Sequence, residues 1–536
     1  MAAEASDPPC LPPLPADLVM RVLGRLPPNE VAVVARLVCK AAAELFAGPQ
    51  HTTVRLSQPV PHHEFARRWG DPHSTRPLTL MRRRELVSLT AASGDVDNLK
   101  FVALRVGCLT HGDMPPAEDA APGLLLDEGW WLQDYGCFVT PNALTAAALA
   151  GRQSVVDWLL AHGLARYEFG EPPAFGAARG GHVGLMDCLM QRDILAGTDY
   201  HRVGLVTPML TAVAEGCDLP TLQRLHHTYL DSRGLRLPRF PDHVVGAAAH
   251  SPTPDWQAKL EWLEERGYSL KRSTMFWAAT CPDALTRLAW LRDRGCEADT
   301  YVMESAAGSD GNLEGLKYLL AQGSPVEQGA WRSAAMAGCL AKLEALHAHG
   351  SPIPPCTVRW AAFDGHQPAV FWLLGGLGEE QRRAALDADL LSYAMNSGCL
   401  TLLAWLREAG CPWGEDTFAK AAEAGSEEVL EWLAEQGCPM GVDGAPYVEA
   451  GCHFDFATLS CLRRLGCPWD EDGGTFTAAA RACCRLPALR WLLQHGCPVD
   501  WDACWEEPFY TGDECYTVTL QDLDVIPGLQ KWWQQQ

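Results

Sequence analysis

Cysteine is the residue of this chain with the most latent chemistry, and there are twenty-one of them. Thiolates bind zinc when ligands cluster at short spacing, and they act as nucleophiles when their surroundings favour the ionised form. No C-x-x-C pair occurs. Cys411, Cys438, Cys467 and Cys497 recur at one phase of a longer period, and Cys296 takes the same place. Whole structural units separate them, too far for four to share one ion, so they read as small buried hydrophobes in a reducing compartment. Cys483-Cys484 reads the same way. His62-His63, His226-His227 and the pair His347 and His349 sit in no H-E-x-x-H and beside no Cys/Asp cluster of ligand spacing. Gly375-Gly376-Leu377-Gly378 lacks the Lys-Ser/Thr of a phosphate-binding loop, and no G-x-S-x-G elbow is present. The expectation is a non-enzyme with no catalytic, cofactor-binding or metal site. An enzyme using its cysteines would instead show bound zinc or a low-pKa thiol.

Composition narrows the class further. Hydrophobic content of 48% with 20% charged residues describes a folded chain. The formal charge of −23 argues against a phosphate-binding surface, so no nucleic-acid partner is expected. Between Thr401 and Gly441, eight carboxylates face only Arg407 and Lys420, which reads as a solvated face and would suit a basic partner. Met1–Cys10 has no signal-peptide pattern and no run of eighteen apolar residues follows, so the expected setting is cytoplasmic or nuclear, not secreted and not in a membrane.

The elements are most legible from Asp416 to Pro439. Phe418, Ala421 and Ala422 form the apolar face of a short helix that Gly425 stops. Val429, Leu430, Trp432 and Leu433 form a second, stopped by Gly437, and Pro439 bars its continuation. Helices this short do not persist alone in water, so neighbouring copies must support each hairpin.

Copies recur from about Glu85 with a period of about 28 residues, roughly thirteen in all. The closing glycine returns at Gly163, Gly267, Gly295, Gly323, Gly350, Gly410, Gly437, Gly466 and Gly496, and degenerate units fall around Asp193, Tyr229 and Gly376. An alanine pair marks the first helix, as at Ala278-Ala279, Ala306-Ala307 and Ala334-Ala335. A large ring sits five residues before the closing glycine, as at Trp158, Trp262, Trp290, Tyr318, Trp405, Trp432 and Trp491, and is expected in the core. Trp413 and Trp469 follow the connecting Cys-Pro instead, and are candidate target-binding turns as well as candidates for packing into the next unit.

A-A-x-x-G followed by L-x-W-L-x-x-x-G resembles the ankyrin repeat over roughly four-fifths of the chain. It is closest in kind to the shorter divergent variant punctuated by G-C-P-W. The ordinary unit of about 33 residues opens with T-P-L-H; the shorter period here implies a clipped turn in place of a β-hairpin finger.

The N-terminal stretch Leu11–Lys40 carries a second resemblance. Leu14-Pro15, Leu18, Val22-Leu23, Leu26-Pro27, Leu37 and Val38-Cys39-Lys40 fall where an F-box places its L-P, aliphatic, L-P and V-C-K elements. The family's usual Trp two residues after the Lys is Ala42 here. The resemblance implies docking onto the adaptor subunit of a Skp–cullin–F-box (cullin–RING) ubiquitin ligase, through Leu14, Pro15, Leu18, Val22, Leu23, Leu26, Pro27, Val38 and Cys39.

The expected architecture is therefore all-α, an ankyrin-like α-solenoid of stacked helical hairpins with a small N-terminal F-box-like module. Residues 1–10 would be a disordered terminus, 11–48 the F-box-like module and 49–84 a connector whose Arg67-Arg68 and Arg82-Arg83-Arg84 read as solvated. Residues 85–498 would be the repeats, with a surface-loop insertion near 110–128, and 499–536 a C-terminal cap or tail. The implied function is a protein-binding scaffold serving as substrate receptor of the ligase, the repeats holding an unidentified target. The alternative is an ankyrin-type interaction scaffold with no ligase role, its first helices acting as a cap.

Overall fold

The computed structural model of the chain describes residues 16–501 apart from 39, 104–138, 162–171, 196–202, 236, 310–311, 483 and 485. The N-terminal segment 1–10, the 110–128 insertion, the tail beyond 501 and the residues Leu14, Pro15, Cys39 and Gly163 lie outside that set. The described residues form helices and no strand. None of these helices is long and apolar enough to cross a membrane.

After three short helices, Ala16–Leu23, Pro28–Val33 and Lys40–Leu45, the chain runs through Pro49–Thr52 and His62–Trp69. Helix pairs then begin at Leu80, five residues earlier than the repeat pattern indicates, because Thr79 caps the first turn by accepting the Arg82 N–H. The first pair is Leu80–Ser93 with Val96–Ala103, and further pairs follow to Gly474–Arg481 with Leu486–Gln494. One additional helix, Glu379–Ala385, follows Gln367–Gly376 and lengthens that unit.

The pairing follows from three residue types. Alanine lines the first helices: Ala278, Ala279, Ala306, Ala334, Ala335, Ala361 and Ala421 are each fully buried. Side chains this small let the first helix of each pair touch the first helix of the next, from Leu80–Ser93 through to Gly474–Arg481. Leucine fills the second helices, with Leu260, Leu263, Leu288, Leu291, Leu430 and Leu433 fully buried. Glycine ends them: Gly350 and Gly410 adopt φ of 90° and 100°, the left-handed region where a side chain is strained.

The rings ahead of those glycines depart from expectation. Trp491 is buried, but Trp158, Trp262, Trp290, Tyr318, Trp405 and Trp432 are only half-buried against the core. Cations cover several of them: Arg294 sits 3.6 Å above the Trp290 ring and Arg266 4.5 Å above Trp262.

Polar side chains bind one pair to the next. The last carbonyls of a helix have no partner within it, and here the following pair supplies one. Lys342 Nζ donates to Ala306 O at 2.8 Å, Lys259 Nζ to Ala214 O at 3.0 Å, and Arg287 Nη1 to Ala249 O at 2.7 Å. Asn312 Nδ2 bonds Ala279 O and Cys281 O at 3.0 and 3.1 Å. Lys259 and Lys342 are wholly buried, and burial draws the Lys259 ammonium below its usual pKa while Asp255 opposes the shift.

Candidate protein-binding surfaces

The N-terminal helices bury one side and expose the other. Val31, Ala32, Ala35, Ala42 and Phe46 are buried. Asn29 fastens the group to the segment that follows: its amide donates to Arg55 O, Gln58 O and Pro59 O at 2.8, 3.1 and 3.1 Å, and its carbonyl accepts Arg55 N–H at 2.8 Å. On the outside, Leu18 is 42% exposed, Val22 61%, Leu37 63% and Val38 74%. Met20, Leu26 and Val34 are exposed too, while Leu23 is half-buried and Pro27 exposed. A concentration of exposed aliphatics this dense within 21 residues is unusual for a solvated face.

Trp413 and Trp469 lie apart from that surface. Both are half-buried and packed on the core. Arg407 lies 3.8 Å above the Trp413 ring, and Trp432 meets it edge-on at 6.0 Å. Trp469 stacks on the buried Tyr447 at 3.8 Å, with its Nε1 buried and unbonded. Each ring thus serves packing on one face and leaves part of itself at the surface.

The basic run Arg82-Arg83-Arg84 does not behave as a solvated face throughout, which corrects the reading of the connector. The Arg83 and Asp455 side chains are 2% and 1% exposed and form a two-pronged ion pair, with Nη1–Oδ1 at 2.9 Å. Arg83 Nη2 also donates to Gly425 O at 2.6 Å, and Arg84 Nη2 donates to His453 O at 2.8 Å. Upstream, Arg76 pairs with Glu431 and lies 3.6 Å from Glu427, while Arg464 reaches Glu427 at 3.0 Å. Two of the acids read as solvated are therefore neutralised within the chain. Burial raises the Glu427 carboxyl pKa despite both arginines. The same acids limit how much of this surface remains negative toward a partner. Arg82 stays outside and pairs with Glu85 at 2.7 Å.

The cysteines of the repeat phase are buried, and burial lifts Cys411 and Cys438 to about 11 and Cys467 and Cys497 to about 12. Thiols held this far from ionisation are poor nucleophiles and poor ligands. One group with mixed ligand types was not apparent in the sequence: Glu423, Glu449 and His453 place one donor atom each within 4.8 Å of one another. Lys420 already lies 2.7 Å from Glu423, which supplies the positive charge the carboxylates attract. The three residues come from two units, so spacing along the chain hides them.

No family model matches the chain, and no curated protein matches it either.

Proposed function

We propose that this protein is a binding scaffold of ankyrin-like stacked helical hairpins that acts as a substrate receptor of a Skp–cullin–F-box ubiquitin ligase. The observation that carries the ligase half is the exposure of the aliphatic residues Leu18, Val22, Leu26, Leu37 and Val38. Apolar area buried on association is worth about 25 cal/mol per Å² before entropic costs, and several exposed branched residues together can supply an interface core. These residues are among those that carry the F-box resemblance, which also names Leu14, Pro15 and Cys39. The helix pairs carry the other half. Their first helices touch in unbroken succession, and repeats stacked in this way present an extended surface to a target. The turns bearing Trp413 and Trp469 are the candidate target contacts.

The test is affinity capture with mass spectrometry from cells, comparing the intact chain with Val22→Asp/Val38→Asp. Both positions are exposed, so the substitutions leave the fold intact. The receptor reading expects adaptor and cullin with the intact chain and neither with the variant, while proteins held by the repeats stay. Equal capture by both, or by neither, would remove the ligase role. The second reading, a scaffold whose first helices only cap the array, draws on Asn29, which fastens those helices to residues 55–59. It expects no adaptor in either capture.

A further inference from the structure

One thiol pair falls outside the pattern of buried cysteines. Cys452 ends the Ala445–Cys452 helix, and Cys484 lies between Gly474–Arg481 and Leu486–Gln494, in the next unit. Their sulfurs are 3.0 Å apart. Cys484 is buried and Cys452 is partly exposed, so one sulfur of the pair is open to small solutes and the other waits behind it. Gly451 lies close to the pair: an added Cβ there would lie 3.3 Å from Cys484 Sγ. Backbone oxygens hold the two thiols in place: Cys452 Sγ lies 3.5 Å from Ala482 O and Cys484 Sγ 3.8 Å from Val448 O.

We propose that Cys452 and Cys484 form a reversible disulfide in response to a peroxide, tying the last described helix pair to the one before it. The Cys452 thiolate attacks the peroxide; an S–O bond forms, the O–O bond breaks, and the departing hydroxide leaves as water after taking up a proton. Cys484 then attacks the Cys452 sulfenic sulfur, forming the S–S bond and breaking S–O. The second hydroxide takes the Cys484 proton and leaves as water. Two thiols are oxidised and one peroxide is reduced to two waters.

The order of attack follows from the surroundings. The Cys484 thiol beside it holds the Cys452 thiol below its ordinary pKa, against the opposing effects of burial and the Glu449 carboxylate. Cys461 is lifted by burial to about 11, as are Cys217 and Cys281, so these thiols are slower to react. The position also gives the bond a consequence, because a covalent tie across that junction holds the two helix pairs together against local opening.

The test treats the full chain with hydrogen peroxide, blocks remaining thiols, digests it and sequences the peptides by tandem mass spectrometry. The expected result is a Cys452–Cys484 linked peptide that dithiothreitol removes and that both Cys452→Ser and Cys484→Ser abolish. Cys483→Ser should leave it in place. Hydrogen exchange across Gly474–Gln494 should slow on oxidation of the intact chain and not of Cys452→Ser. Recovery of Cys452 as sulfinic acid or as unmodified thiol, or a bond to any other cysteine, would overturn the proposal. Cys452 is partly exposed, so its serine variant retains the fold, and an unchanged thermal melt would verify that.

Discussion

At the scale of single residues, the half-buried rings and the closing glycines make contrasting predictions. Trp331 is 1% exposed and donates Nε1–H to Ser351 Oγ at 3.0 Å. Trp331→Ala should therefore cost about 3–5 kcal/mol. Trp432→Ala, at a ring with one edge in water, should cost clearly less, and urea unfolding of the two variants decides the order. Gly350→Ala meets no atom within 4 Å, so its cost is backbone strain alone, about 1–2 kcal/mol, at φ of 90°. His226 carries a pH prediction. The ring is wholly buried between Trp262 and Tyr268, and burial holds its pKa below 6.5 despite Asp231 at 3.2 Å, while Arg266 and His227 act with burial. A group depressed in this way stays neutral when folded and takes up a proton on unfolding. Its contribution is present above about pH 6.5 and is lost as the pH falls toward its folded value. Stability should drop between pH 7.5 and 5.5 in the intact chain, and less in His226→Gln. An identical pH dependence in both would contradict the assignment.

At the scale of elements, the alternation of short helices was plain in the sequence because it repeats. Alanine pairs, leucines and glycine stops return about every 28 residues, and each feature is local. The Asp416–Pro439 reading, two helices stopped by Gly425 and Gly437, matches Thr417–Ala424 and Glu427–Glu435 with φ of 77° and 72° at the glycines. The tryptophan phase was legible as a position but not as a depth, because depth depends on helix spacing and on which cation lies above the ring. The buried lysines were not legible either. Lys342 has the look of any surface lysine until the carbonyls of Ala306 and Ser309 are brought to it. Lys342→Met keeps the aliphatic stem but removes the ammonium donor from Ser309 O, while Ala306 O keeps the Ser309 hydroxyl. Each buried acceptor left unpaired costs about 1–3 kcal/mol, which urea unfolding would register.

At the scale of the whole molecule, the contact between the first helix pair and residues 425–464 was hidden by distance along the chain. Arg83 and Asp455 are 372 positions apart, and nothing periodic marks either one. Arg82-Arg83-Arg84 has the composition of a solvated run, and only the fold separates Arg83 from its neighbours. Removing one partner of a buried ion pair leaves the other charge uncompensated, at a cost of about 3–5 kcal/mol. Arg83→Ala should therefore part the two regions, and small-angle scattering should report a larger radius of gyration. An unchanged radius would mean that packing alone holds them. The N-terminal surface poses the functional question, since Leu18, Val22, Leu37 and Val38 are exposed there. The most direct measurement is calorimetric titration of a purified Skp-type adaptor subunit into the full chain. The receptor account predicts saturable one-to-one binding that Val22→Asp abolishes without moving the melting temperature. Absence of binding to the intact chain, or binding that Val22→Asp leaves unchanged, would contradict it.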